Sequence, residues 1–231
     1  MSLLGYDVVN VGDRDLRLGY AEFLKRTEKA SFPFVSANVV RRDTKEPVFA
    51  PYKIVEATSA DGANSIKVGV IGAARYNPLF LKTGPDGSSL VILKGEESIG
   101  RYVTELRPQV DLVVLLAALH KEEAKRIVRA APGIDFVVGS YGGMITTQDE
   151  LEGSTRLLYA GNQGKRLGET RVYLGDERQV LSAETHLHYL TARYPGDPAM
   201  LEHVARVAKQ AAIAKKQAAE SAAEATGGSP R

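Results

Sequence analysis

Two carboxylates flank a guanidinium in the loop Asn10-Val11-Gly12-Asp13-Arg14-Asp15-Leu16-Arg17-Leu18-Gly19, directly after the short apolar stretch Tyr6-Asp7-Val8-Val9. A carboxylate at the end of a strand can hold a divalent cation through oxygen, which makes Asp13 and Asp15 weak metal candidates. Arg14 has the planar fork that pairs bidentately with an oxyanion, and it is the anion-binding candidate. It cannot serve as a proton donor, because its pKa lies above about 12. The simplest reading of the Asp-Arg-Asp run is a self-neutralising turn.

The histidines say less. His186 and His188 lie two apart in a strand-like stretch, so both point to one face, but two ligands are too few for zinc and solvent exposure is expected. His120 follows the apolar run Leu112 to Leu119 and reads either as a weak metal candidate or as a surface residue opening a helix. Ser140-Tyr141-Gly142-Gly143 can expose backbone N–H groups to a phosphate. No phosphate-binding P-loop, nucleophile elbow or dinucleotide fingerprint occurs. With no cysteine in the chain there is no disulfide, thiolate metal site or thiol nucleophile.

The elements that must position these residues follow from hydrophobic period. Leu18, Ala21 and Leu24 predict a helix over about 18–29, followed by a strand from Phe34 to Val39. Ile66 to Gly72, Leu112 to Leu116 and the stretch ending at Val138 read as strands, with helices carried by Ile99, Val103 and Leu106 and by Ala124, Ile127, Val128 and Ala131 between them. The unbroken apolar run at 112–116 suits a strand covered on both faces. After residue 150 the pattern becomes antiparallel hairpins: 155–161, 169–174, a turn at Gly175-Asp176-Glu177, and 179–190. Tyr194-Pro195-Gly196-Asp197-Pro198 opens a terminal helix that keeps Leu201, Val204, Ala205 and Ala208 on one face. The predicted organisation is one domain over 1–208, then an Ala/Lys-rich helical tail over 209–231 ending in a Gly-Ser-Pro linker.

With 231 residues, 44% hydrophobic and 25% charged, the chain can build one sizeable core. A net charge of +2 argues against a broad nucleic-acid or anionic-membrane field, and Lys209, Lys215 and Lys216 read as a solvated face. No run approaches the about 20 apolar residues of a membrane span. The N-terminal residues lack a signal-peptide pattern, so the chain as written reads as cytoplasmic.

Several segments together resemble the metallophosphoesterases of the calcineurin-like superfamily, and within them the N-terminal domain of bacterial 5'-nucleotidases. Gly5-Tyr6-Asp7-Val8-Val9 followed by Gly12-Asp13-Arg14-Asp15 is similar to the family's Gly-Tyr-Asp-Ala-Val and Gly-Asn-His-Glu. Ser36-Ala37-Asn38, Lys67-Val68-Gly69-Val70-Ile71-Gly72, Pro132-Gly133-Ile134-Asp135 and Ala160-Gly161-Asn162-Gln163-Gly164-Lys165-Arg166-Leu167-Gly168 match further family stretches in the same order. The resemblance implies a four-layer α/β/β/α sandwich, and it begins after the family's first two metal motifs, so the family's first strands are lacking.

The resemblance also places Asp13 at a metal-ligating Asn, Arg14 at the His that contacts the scissile phosphate, and Ala118, Tyr141 and Gly143 at metal-binding histidines. No catalytic residue is therefore expected, and no cofactor. The first functional expectation is a catalytically silent, 5'-nucleotidase-like domain with a scaffold or interaction role. The second is a hydrolase using Mn or Zn, its site rebuilt from Asp13, Asp15 and His120 or completed upstream of Met1. The third is a phosphate or nucleotide sensor built on Arg14. Bared sheet edges predict a protein partner, self-association or an upstream segment, and an upstream signal peptide would make the location periplasmic.

Overall fold

The chain begins with β1 (Val9–Asn10), α1 (Tyr20–Thr27), β2 (Phe34–Val35) and β3 (Val39–Arg41), then the antiparallel pair β4 (Tyr52–Thr58) and β5 (Ser65–Ala74). Next come β6 (Lys82–Thr83), β7 (Ser89–Ile92), α2 (Gly95–Ser98), α3 (Gly100–Leu106), β8 (Leu112–Ala118), α4 (Lys121–Ala130) and β9 (Phe136–Gly139). The hairpins β10 (Leu151–Glu152) with β11 (Thr155–Tyr159) and β12 (Arg166–Leu174) with β13 (Val180–Tyr189) precede α5 (Pro198–Gly227). This computed structural model describes residues 1–59, 62–147 and 150–227, with side chains described through residue 221. Residues Met1–Leu190 form one unit and Thr191–Arg231 another.

The main sheet has six strands in the order β10-β11-β9-β8-β5-β4. Strands β5, β8, β9 and β11 run parallel, and the pairings Ala74↔Ala118 and Ala117↔Gly139 bring the carboxyl ends of β5, β8 and β9 to one rim. One face of the sheet is covered by helices α2 to α4. There Ile71, Val113, Leu115 and Val137 pack against Ile99, Val103, Leu106 and Ile127, nearly all fully buried. Each such side chain contributes about 1.5–3 kcal/mol through removal from water. The other face is shared. Near the amino ends, Leu112 and Phe136 meet Ala183, Val172 and Val180 of the β12–β13 hairpin. Near the carboxyl ends, Ala74 joins a cluster with Val11, Leu16, Phe23, Val39 and Leu90.

The first strands are stitched tightly onto β5. Ala37 N–H donates to Gly72 O at 2.8 Å, and a Cβ on Gly72 would lie 2.5 Å from Val35 O, so only glycine admits this approach. Asn38, fully buried, donates to Ala74 O at 2.7 Å and Leu93 O at 2.9 Å and accepts from Ala74 N–H at 2.8 Å. Buried amides need such partners, and this one clamps the end of β5.

The architecture is the mixed α/β arrangement expected, with four local corrections. The first helix is shorter than 18–29 and turns a different face inward: Leu18 and Leu24 are exposed, while Phe23 is buried with Tyr20, Phe34 and Phe49 around it. The aromatic residues offer more area to bury than Leu18 and Ala21 do. The strand read over 34–39 breaks into β2 and β3, with Ser36–Asn38 between them bonding to neighbouring backbone. The run 112–116 is covered on both sides but unequally, since Val113 and Leu115 are sealed on one, while on the other Leu112 is buried and Val114 and Leu116 are half-buried. Finally, the stretch 155–161, read as part of an antiparallel hairpin, also joins the parallel sheet, because β11 pairs in parallel with β9 as well as antiparallel with β10. Helix α5 runs through residue 209 without a break, and Gly228 to Arg231, read as the linker, lie outside the described residues. Among the described residues no helix is long and apolar enough to cross a membrane.

Candidate functional site

Three of the four parallel strands deliver a chemical side chain just beyond their carboxyl ends, the position where open α/β sheets gather their ligand-binding groups. Strand β5 is followed by Arg75, β8 by Leu119 and His120, and β9 by Ser140 and Tyr141. The loop after β1 comes down on the same rim: a Cβ on Gly12 would lie 3.0 Å from Ala118 Cβ. Successive turns fold this loop, with Arg17 N–H bonded to Arg14 O and Gly19 N–H to Leu16 O, while Leu16 anchors it in the core at 0% exposure.

Tyr141 is the hub. Arg14 Nη2 donates to its hydroxyl at 3.2 Å, and the Arg14 guanidinium lies 4.8 Å from the ring centre. The Arg75 guanidinium lies 5.2 Å from the same ring, and His120 packs edge-on at 4.3 Å. Such cation–π contacts contribute roughly 0.5–1 kcal/mol each at partly exposed sites. Gly142 and Gly143 follow with φ of 79° and 69°, left-handed values that favour glycine, and Gly143 faces Asn162. The two guanidiniums therefore share one aromatic platform, across 127 residues of sequence in the case of Arg14 and Tyr141.

The two carboxylates of the loop are engaged locally. Asp13, its side chain 10% exposed, accepts from Arg75 Nη2 at 3.0 Å, a bond that also holds the Arg75 guanidinium more firmly protonated. Asp15 accepts from Gly12 N–H at 2.8 Å and so closes its own turn. Arg14, by contrast, has no ion pair among the described residues, and Arg75 Nε is buried with no hydrogen-bond partner. Beside the rim is a cavity of about 280 Å³ lined by Tyr76, Lys94, Glu96, Glu123 and Arg126. Burial pushes the Glu123 carboxyl above its ordinary range, against the opposing effect of Tyr76 N–H, which donates to it at 3.1 Å.

Comparison with known proteins fits this frame. No protein-family model matches the chain. A 2',3'-cyclic-nucleotide 2'-phosphodiesterase/3'-nucleotidase of Haemophilus influenzae is 32% identical over 62% of this chain and 27% of its own length. The corresponding protein of Salmonella typhimurium is 27% identical over 51% of the chain and 19% of its length. The homologues of this chain are thus 5'-nucleotidase-like phosphoesterases. The chain spans about a quarter or less of the length of these two curated relatives. The metallophosphoesterase fold is shared with the 5'-nucleotidase precursor of Thermus thermophilus, at a TM-score of 0.72 and 21% identity over 91% of this chain and 44% of that one. It is shared equally with YfkN of Bacillus subtilis, a calcineurin-like phosphoesterase, at 0.71 and 17% over 90% and 70%.

A metallophosphoesterase name implies divalent ions, and the donors at this rim do not fit them. A two-ion centre needs several oxygen and nitrogen ligands converging within a few ångströms. Here Asp13 is paired with a guanidinium, Asp15 with its own turn, Ala118 and Gly143 offer no side-chain donor, and Tyr141 is covered by Arg14 and Arg75. Among the described residues no group of three or more His, Asp or Glu side chains is placed to hold an ion. His186 is exposed, and His188 is engaged by Glu169 at 2.7 Å on the neighbouring strand.

The structure brings Asp13, Arg14, Asp15, Ala118, His120, Tyr141 and Gly143 to one rim. Arg75 was not visible as a functional residue in the sequence. The available signal is positional: a residue directly after β5 must share a rim with the residues directly after β8 and β9.

Proposed function

We propose that this domain is a non-hydrolytic member of its family that acts as a scaffold or interaction module, its strand-end site closed by side-chain cations. The Asp13–Arg75 ion pair carries the reading. It commits the one loop carboxylate that points into the rim and sets a fixed positive charge beside it, and a second guanidinium, Arg14, stands across the same tyrosine. A divalent ion entering there would meet two like charges and no free carboxylate pair, which is unfavourable by several kcal/mol in a partly desolvated site. An interaction role is supported by the incompletely covered sheet face, where Val138 is 41% exposed.

Calorimetric titration of the metal-stripped protein with Mn²⁺ and then Zn²⁺ tests the proposal, together with assays of nucleoside monophosphate and cyclic nucleotide hydrolysis. The expected result is no saturable ion binding and no turnover above background. Two ions bound at micromolar affinity or better, with metal-dependent hydrolysis lost in Asp13→Ala or His120→Ala, would instead establish a hydrolase with a rebuilt site.

A further inference from the structure

We propose that the cavity beside the rim is a binding site for a compact zwitterion, a free α-amino acid, with Glu123 taking its ammonium group and Arg126 its carboxylate. The site uses neither arginine of the rim and does not rest on the non-hydrolytic reading.

Glu123 lacks a counter-charge. It lies in the first turn of α4 and is only 8% exposed, yet Tyr76 N–H, at 3.1 Å, is its one hydrogen-bond donor among the described residues. Arg126, one turn along the same helix, pairs with Glu96 instead, at 2.7 Å, and no ion pair among those residues includes Glu123. A carboxylate taken out of water without a cation is costly, and the cost falls away when a ligand brings the cation. Burial correspondingly holds the Glu123 carboxyl above its ordinary range, an effect that the more distant charges of Arg126 and Arg75 do not offset. A buried, uncompensated acid facing a cavity is a feature of ligand sites more than of structural networks.

The rest of the lining supplies what a carboxylate needs. Arg126 commits only Nε, to Glu96, so the Nη1–Nη2 edge of its fork has no protein acceptor among the described residues. An edge of that kind holds a carboxylate through two parallel N–H bonds. Lys94, its ammonium 5.8 Å from the Tyr76 ring centre and 4.0 Å from Glu97, adds a second positive charge to the wall. Glu96 and Glu123 balance Lys94 and Arg126, so a ligand of one sign would leave a charge unpaired, whereas a zwitterion keeps the balance. Glu123 and Arg126 are three residues apart on α4, with about 5–6 Å between their Cβ atoms, so both side chains can reach one α-amino acid. Gly95 of α2 passes Ile127 of α4 too closely for a Cβ, which fixes the walls carrying Glu96 and Glu123 against each other. The volume, about 280 Å³, lies at the small end of ligand pockets and suits an amino acid rather than a nucleotide.

The test is calorimetric titration of the full chain with glycine, L-alanine and L-leucine, and with the half-ligands ethylamine and propionate, while the Tyr76 amide signal is followed by NMR. Saturable binding of at least one amino acid is expected, with both half-ligands about tenfold weaker or more, and the Tyr76 amide shifts because its acceptor gains a cation. Glu123→Gln still accepts from Tyr76 N–H and so keeps the fold; it and Arg126→Gln should each weaken binding about tenfold or more. Arg126→Lys, which keeps the charge and loses the fork, should recover only part of the loss. No binding of any of these amino acids up to about 20 mM would overturn the proposal. So would ethylamine or propionate binding as tightly as the amino acids, binding unchanged in Glu123→Gln, or binding that leaves the Tyr76 amide where it was. None of these outcomes bears on the non-hydrolytic reading, which ions and turnover decide.

Discussion

The two ends of the parallel strands handle arginine in opposite ways. At the amino end Arg107 is tied down through both terminal nitrogens: it donates to Asp135 at 2.7 Å and to the carbonyls of Gly133, Val110 and Asp111. Asp135 also accepts Val113 N–H, while Asp111 accepts Lys67 N–H and Arg178. At the carboxyl end Arg14 has no ion pair among the described residues, and Arg75 keeps a buried Nε without a partner. Both ends sit on the same sheet and carry similar charges. The amino end ties down strand starts, whereas the carboxyl end holds donors that no protein group fully satisfies, which is the difference between a structural network and a site.

The comparison breaks first at the frame beneath the site, because its loose side chains stand on a rigid backbone. Asn38→Ala would strand Ala74 N–H and two carbonyls in a buried setting, and a loss of about 3–5 kcal/mol is expected, read as a shift of the urea midpoint at constant slope. A loss under about 1 kcal/mol would mean that the rim is as soft as its side chains. Arg107→Ala against Arg14→Ala sharpens the contrast directly. The first should cost about 2 kcal/mol, moderated because Arg107 is one-third exposed, and the second should stay within about 0.5 kcal/mol. Equal losses would erase the distinction between the two ends.

The smallest expected effect is on pH dependence. Burial raises Glu123 above its ordinary value of 4.5, so the folded state binds this proton more tightly than the unfolded state. Its favourable contribution is then fully present below that value and is lost as pH rises through the folded pKa, where the carboxylate becomes charged beside Glu96. Glu123→Gln, which can still accept from Tyr76 N–H, should melt like wild type near pH 4 and higher than wild type at pH 7. An unchanged difference across that range would show that Glu123 is solvated in solution.

Much of this was legible in the sequence, for identifiable reasons. The unbroken or alternating apolar runs of β5, β8 and β9 and the helices between them have strong periods, and the resemblance ordered them. It also led to Arg14, Ala118, Tyr141 and Gly143, residues scattered along the chain that the fold gathers. The inward face of α1 was misread because Leu18 and Leu24 fit the helical period, while packing favoured the aromatic Tyr20 and Phe23. The pairing of β11 with β9 was hidden because a short apolar segment carries no information on which sheet it joins. Arg75 lies in no motif, and only the register of β5 against β8 reveals it.

The seating of the β1 loop on Ala118 bears on whether metal-ligating histidines can be engineered into this rim. An imidazole grafted at residue 118 would need the space that Gly12 now occupies, and lifting that loop would carry Arg14 off Tyr141. A histidine at residue 143 would have to adopt φ near 69° against Asn162, a left-handed geometry that costs a non-glycine residue about 1 kcal/mol. Each ligand restored would thus dismantle part of the arrangement now in place before the next could be useful. A designer seeking to place metal ligands at this rim would therefore have to change the loop, both strand ends and Arg75 together.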